Sequence, residues 1–151
     1  MARIDAFPIS PTPNRNAAIS RGAPRAARER DAGAQRLVAI VEDDVEFRNM
    51  LRELLEGEGY RVLALANGAE ALETLRSGVT PHVVLLDVSM PVMDGFDFLR
   101  HRNDDPRLAA VPVVLVTNAK PHERPTVGVS DVVRKPIDID EILFAIKRYC
   151  A

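Results

Sequence analysis

Cysteine is scarce in this sequence, and long apolar runs and a secretion signal are missing. A single cysteine, Cys150, excludes a disulfide bond within the chain and suits a reducing compartment. No apolar run approaches the ~20 residues that span a bilayer, and the N-terminus lacks the apolar core of a signal peptide. We therefore expect a cytoplasmic protein without membrane contact.

The size and composition of the chain are those of one globular domain. Its 151 residues are 46% hydrophobic and 28% charged, which is enough apolar material to bury a core. The net charge of −2 is unevenly distributed, because residues 1–36 contain seven arginines and three acidic residues and so carry +4. The rest of the chain is therefore acidic.

The basic segment differs from the remainder in pattern as well as in charge. It contains four prolines and almost no periodic aliphatic residues, as disordered segments do. A basic arm can bind nucleic acid, but a solvated leader is the simpler interpretation. We expect a disordered basic extension at 1–36, followed by the folded domain at 37–151, and no binding to nucleic acid.

Short apolar runs alternate with helical patterns from residue 37 onward. Strands alternating with helices over ~100 residues predict an α/β fold with a parallel sheet covered on both faces. Between the fourth and fifth strands, Pro121 and Pro125 would disrupt a helix interior, so the fourth helix is predicted short, displaced or absent. The predicted strands are 37–41, 60–65, 82–87, 111–117 and 131–135.

Polar residues follow the apolar strands at the ends where parallel α/β sheets bind ligands. In chain order they are Glu42, Asp43, Asp44, Asp87, Thr117 and Lys135. Carboxylates packed closely together repel each other unless a cation holds them. Oxygen ligands with room for water favour Mg²⁺, which usually binds one or two carboxylates together with a phosphate.

The expected phosphate gives the other polar residues a role. Lys135 can pair with Asp87 and then with phosphoryl oxygens, and Thr117 can hold another oxygen. Carboxylates form aspartyl phosphates, so Asp87 is the predicted nucleophile. The predicted reaction is phosphoryl transfer onto Asp87.

This arrangement resembles the receiver domain of two-component response regulators from about residue 37 to 149. The motifs that carry the resemblance are VEDD, LLDVSMPVMDG, VTNA and VRKP, each at the end of a predicted strand. The resemblance implies a flavodoxin-like (βα)5 three-layer sandwich with strand order 2-1-3-4-5, here with a short or degenerate fourth helix. It also implies phosphorylation by a sensor histidine kinase or a histidine phosphotransfer protein.

The resemblance assigns roles to individual residues around Asp87, the implied phosphoacceptor. Asp43 and Asp44 match the acidic pair that organises Mg²⁺, with Asp44 as the direct ligand and Asp43 acting mainly through water. Asp87 and the backbone carbonyl of Ser89 match the remaining protein ligands. From the residues alone, Asp43 or Asp44 can instead be the N-cap of the first helix.

Two further matches and one departure concern the switching apparatus of the family. Thr117 matches the switch hydroxyl, Lys135 matches the family lysine, and the resemblance implies a cis peptide bond before Pro136. The family often has an aromatic residue three positions before the lysine, where this chain has Val132. A switch based on an aromatic rotamer is therefore excluded.

The leading functional prediction is a stand-alone receiver that is not an enzyme. We expect it to signal to a downstream protein by contact, since no further segment follows the last predicted helix. Val132 and the proline-broken fourth helix motivate an alternative, an adaptor with a receiver scaffold that works without phosphorylation. A second alternative is a phosphatase with an aspartate nucleophile. Phosphatases of the haloacid dehalogenase type need a second aspartate two residues on, where this chain has Ser89.

Overall fold

The computed structural model of this protein describes residues 36–90 and 92–150. The predicted N-terminal extension lies outside the described residues except for Arg36, and its disorder stays a prediction. Within the described ranges, every helix is too short or too polar to cross a bilayer.

Five parallel strands form one sheet in the order β2-β1-β3-β4-β5, which confirms the predicted α/β fold and strand order. Each strand is one of the predicted apolar runs, shortened by up to two residues. The strands are β1 (Leu37–Val41), β2 (Arg61–Leu65), β3 (Val83–Leu86), β4 (Val113–Thr117) and β5 (Asp131–Arg134).

Helices connect the strands, and the longer ones begin at residues that cap them. The side chains of Asp44, Asn67 and Asp94 each accept a hydrogen bond from the backbone N–H three residues further on. A one-turn helix before β4 was not predicted. The helices are α1 (Val45–Gly57), α2 (Gly68–Arg76), α3 (Gly95–Asn103), α4 (Pro106–Ala109) and α5 (Ile139–Cys150).

The sheet separates two apolar cores, because successive strand residues point to opposite faces. In β1, Val38 and Ile40 pack in the core under α1 and α5. Ala39 and Val41 pack in the core under α2 and α3. This confirms the three-layer arrangement and leaves the carboxyl edge of the sheet as the place for polar side chains.

The connection between β4 and β5 contains only a single 3₁₀ turn, Pro121–Glu123. The helix expected between these two strands is thus reduced to this turn, as predicted. The C-terminus of α3 supports the connection instead. Buried Arg102 donates to the carbonyl of Gly128 at 3.1 Å, and Asn103 donates to the carbonyl of Val127 at 3.1 Å. Gly128 has a φ of +86°, which favours glycine at this position.

Candidate functional site

Three carboxylates meet at the carboxyl ends of the two neighbouring strands β1 and β3. Glu42, Asp43 and Asp87 each offer an oxygen atom, and the three oxygens lie within 4.8 Å of one another. Glu42 and Asp87 are 3% and 8% exposed, whereas Asp43 is exposed. The Asp87 N–H donates to the carbonyl of Val41 at 3.1 Å, which fixes the end of β3 beside the end of β1.

Lys135 brings a positive charge to this cluster from the end of β5. Its Nζ lies 2.9 Å from Oε1 of Glu42 and 3.7 Å from Oδ2 of Asp87. The Lys135 side chain is 21% exposed, so most of it is covered by its partners. The ammonium therefore forms a hydrogen bond with Glu42 and a longer ionic contact with Asp87.

Burial makes ionisation of the two inner carboxyl groups less favourable than it is in water. Desolvation raises the pKa of Asp87, and the negative charge of Asp43 adds to this, while Lys135 and the backbone N–H groups of Ser89 and Val88 oppose it. Desolvation also raises the pKa of Glu42, against the effect of its hydrogen bond with Lys135.

The donor set of this cluster suits a divalent cation. A divalent cation relieves the cost of ionised carboxylates, and oxygen ligands of this kind are those that Mg²⁺ prefers. Glu42, Asp43 and Asp87 therefore fit the predicted metal, and one lysine does not neutralise all three acids.

Asp44, the predicted direct metal ligand, is not one of the three clustered carboxylates. The Asp44 carboxylate accepts the N–H of Phe47 at 3.1 Å and so caps α1. Glu42 takes the third place in the cluster, and its Oε2 accepts the N–H of Asp44 at 3.1 Å. The last acidic residue before a helix is often its N-cap. Applied to this sequence, that rule assigns Asp44 to the cap and leaves Glu42 and Asp43 as the acidic pair beside Asp87.

Thr117 lies on β4, the strand next to the one that carries Asp87. Leu86 is level with Leu115, so Thr117 extends just beyond the level of Asp87. The Thr117 hydroxyl is buried and accepts the backbone N–H of Ala119 at 3.1 Å. Its role as the switch hydroxyl stays a prediction.

The loop after Asp87 is held close to the site by Gly95, the first residue of α3. The Gly95 N–H donates to the carbonyl of Val88 at 2.8 Å, and a Cβ at Gly95 would lie 2.9 Å from the Asp87 carbonyl. Ser89 is exposed beside this loop, and its carbonyl as a metal ligand stays a prediction. A cleft of about 620 Å³ opens here, and it is lined by Val88, Ser89, Met90, Asp94, Phe96, Ala119 and Glu123.

The end of β5 agrees with two details of the sequence analysis. The Lys135–Pro136 peptide bond is cis, as predicted. Val132 is partly buried and packs against the core under α2 and α3.

Burial raises the pKa of the Cys150 thiol to about 11, so this cysteine is a poor nucleophile.

Comparison with known proteins places most of the chain in one group. A family model described as the response regulator receiver domain matches residues 38–147. DivK of Brucella anthropi, a polar-differentiation response regulator, is 31% identical over 116 residues, which are 74% of this chain and 94% of DivK. Other relatives are longer, and the match covers 55% of the transcriptional regulatory protein CrdR and 24% of NtrC.

Solved structures agree with this result. The chemotaxis response regulator CheY4 of Vibrio cholerae is 28% identical with a TM-score of 0.69, and the match covers 76% of this chain and 98% of CheY4. The receiver domain of the sensor histidine kinase PA1611 from Pseudomonas aeruginosa has magnesium coordinated in its active-site cleft. It is 22% identical with a TM-score of 0.72 over 77% of this chain and 98% of that one, and supports the fold alone.

Proposed function

The chain belongs to the response regulator receiver family of two-component signalling, and from this premise we propose that it accepts a phosphoryl group on Asp87. The donor is a sensor histidine kinase or a histidine phosphotransfer protein, and the phosphorylated domain signals by contact with a downstream protein. The observation that carries the proposal is the meeting of Glu42, Asp43 and Asp87 with Lys135 at one edge of the sheet.

Asp87 performs the covalent step. One of its carboxylate oxygens attacks the phosphorus atom of a phosphohistidine, so that an O–P bond forms and the P–N bond breaks. The electron pair of the broken bond stays on the imidazole nitrogen, which takes up a proton. The backbone N–H groups of Val88 and Ser89 favour the ionised carboxylate that this attack requires.

Lys135 and Thr117 act on the phosphoryl group rather than on the donor. The Lys135 ammonium is 3.7 Å from Asp87 Oδ2, so a small movement of its flexible side chain pairs it with phosphoryl oxygens. The Thr117 hydroxyl is able to donate a hydrogen bond while it accepts the N–H of Ala119. Both contacts favour the phosphorylated form.

The acidic cluster is the proposed Mg²⁺ site. Asp43 and Asp87 would hold the ion, with Glu42 close enough to contribute directly or through water. Bound there, Mg²⁺ supplies positive charge that offsets the charge on the transferring phosphoryl oxygens. Before the transfer, the Lys135 ammonium is bonded to Glu42 and offsets part of the negative charge of the buried acids.

The proposal is tested by incubating the protein with Mg²⁺ and a small phosphodonor and measuring the mass of the intact protein. We expect one added phosphoryl group in the wild type and none in Asp87→Asn. Asp43→Asn should require much more Mg²⁺, whereas Asp44→Asn should behave as the wild type, because asparagine also caps helices well. Equal labelling of wild type and Asp87→Asn would refute the assignment.

Two observations favour the adaptor alternative. Arg102 and Asn103 tie the β4–β5 connection to α3, and Val132 replaces the aromatic residue expected of a switching receiver. If phosphorylation leaves the chemical shifts of 127–133 unchanged, the chain works as a phosphorylation-independent adaptor. A phosphatase role has less support, because Ser89 stands where a second aspartate is needed.

The proposal also covers the location of the protein and its domain organisation. We propose a cytoplasmic location, which suits the free, buried thiol of Cys150. We also propose that the domain acts as a single receiver, as the 94% coverage of DivK suggests for a chain of this kind.

A further inference from the structure

An aromatic ring completes the surroundings of the Lys135 ammonium. Phe47 lies in the first turn of α1, and the centroid of its ring is 4.4 Å from Nζ of Lys135. The same ammonium lies 2.9 Å from the carboxylate of Glu42 and 3.7 Å from that of Asp87. A cation over an aromatic face at this distance is attracted by the electron density of the ring.

Contacts of both its backbone and its side chain hold Phe47 in place. Its backbone N–H donates to the capping side chain of Asp44 at 3.1 Å, which sets the first turn of α1. Its side chain is partly buried and packs against the core under α1 and α5. Asp44, which lies outside the acidic cluster, therefore places the ring that faces Lys135.

A ring holds the lysine in a way that a further carboxylate does not. A carboxylate that binds the ammonium uses an oxygen that a cation or a phosphoryl group also needs. The Phe47 ring attracts the same charge without using an oxygen of Glu42 or Asp87. It also covers one side of a long, flexible side chain.

We propose that Phe47 is a positioning residue that keeps the Lys135 ammonium beside Asp87 and thereby increases the rate at which Asp87 is phosphorylated. This role rests on the proposed function. The Phe47 ring lies 4.4 Å from the ammonium, so the proposed effect on Asp87 acts through Lys135.

The test compares Phe47→Leu, which keeps apolar volume but removes the ring, with Phe47→Tyr, which keeps the ring. The first readout is the NMR signal of the Lys135 ε protons, which the ring shifts upfield in the wild type without any phosphorylation. The second is the rate constant for labelling by a small phosphodonor at saturating Mg²⁺. We expect Phe47→Leu to lose the shift and to react about three- to tenfold more slowly, the size of a partly desolvated cation–π contact.

Phe47→Tyr, which keeps the ring, should keep both the upfield shift and the rate. The upfield shift reports the ring beside the ammonium, which core packing alone does not produce. A wild-type rate in Phe47→Leu together with a lost shift would overturn the positioning role. A normal Lys135 shift in the wild type would overturn the contact itself. A wild type that cannot be labelled at all, with the shift present, would refute the proposed function and with it the role of Phe47.

Discussion

Replacing Gly95 by alanine should destabilise the protein and displace the loop that follows Asp87. Gly95 begins α3 directly below that loop, and a Cβ there would lie 2.8 Å from Cα of Val88 and 2.9 Å from the carbonyl oxygen of Asp87. Both neighbours are backbone atoms, so the clash is not relieved by turning a side chain. The loop or the start of α3 has to move.

Two opposing effects decide the size of the change at Gly95. Alanine in place of glycine favours a helix by roughly 0.5–1 kcal/mol. Overpacking against fixed atoms costs about 1–3 kcal/mol. The steric cost is larger, and we expect a net decrease of about 1–2 kcal/mol in the free energy of unfolding. Because the displaced atoms belong to Asp87 and Val88, phosphorylation should slow as well.

Urea unfolding, with labelling by a small phosphodonor on the same samples, measures both effects. Gly57→Ala is the matched control, because a Cβ at Gly57, the last residue of α1, meets no atom within 4 Å. This control should be unchanged or more stable by up to about 1 kcal/mol, with normal labelling. A Gly95→Ala variant as stable and as reactive as the wild type would refute the close approach of α3 to the Asp87 loop.

Three further variants test other parts of the structure. Burial raises the pKa of Asp87 and of Glu42, so their protonated forms stabilise the fold below about pH 4, and this contribution is lost as the pH rises through the raised pKa values. Without Mg²⁺, Asp87→Asn should therefore melt about 2–5 °C higher than the wild type at neutral pH but not in acid. Calorimetry measures this, and a difference in melting temperature that does not change with pH would contradict it. Val92 has a φ of +70°, so Val92→Gly should raise the free energy of unfolding by about 0.5–1 kcal/mol, whereas a decrease in urea unfolding would argue against strain there. Arg102→Met removes buried hydrogen bonds, including one of 3.1 Å to the carbonyl of Gly128. It should lower the free energy of unfolding by about 3 kcal/mol and increase hydrogen exchange at 127–128. The control is Arg100→Met, an exposed position, which should lower the free energy of unfolding by less than about 0.5 kcal/mol. Equal effects of the two arginine substitutions would show that the buried hydrogen bonds of Arg102 contribute little.

The fold follows from local patterns that a sequence displays directly. The run Leu37–Val41 is apolar throughout because β1 is covered on both faces, and such runs identify buried strands. Pro121 and Pro125 predicted the loss of a helix between β4 and β5, since proline lacks the N–H that a helix interior needs. Backbone rules of this kind operate within a few residues and do not require knowledge of the tertiary structure.

The composition of the acidic cluster was harder to predict. Three adjacent acids follow β1, and only the direction of each side chain decides which of them face Asp87. The structure brings Glu42 and Asp43 to Asp87 and uses Asp44 as a helix cap. A strand that turns into a helix changes the direction of successive side chains, and the geometry favours Glu42 and Asp43 over the predicted pair Asp43 and Asp44.

Two contacts between residues far apart in the chain could not be predicted from the sequence. The ring of Phe47 meets Lys135 across 88 positions of sequence, and Arg102 meets Gly128 across 26. Each contact depends on the packing of helices against the sheet, for which neither residue carries a local signal. Both became visible only when the helices and the sheet were placed together.

The central claim is that a divalent cation and Lys135 prepare Asp87 to receive a phosphoryl group. A crystal structure of the protein with Mg²⁺ and beryllofluoride, which mimics the phosphoryl group, tests it most directly. We predict beryllium bonded to an Asp87 oxygen, Mg²⁺ bound by Asp43 and Asp87, and the Lys135 ammonium turned toward a fluorine atom. An empty Asp87 carboxylate, or Mg²⁺ held by Asp44 in place of Asp43, would contradict the account.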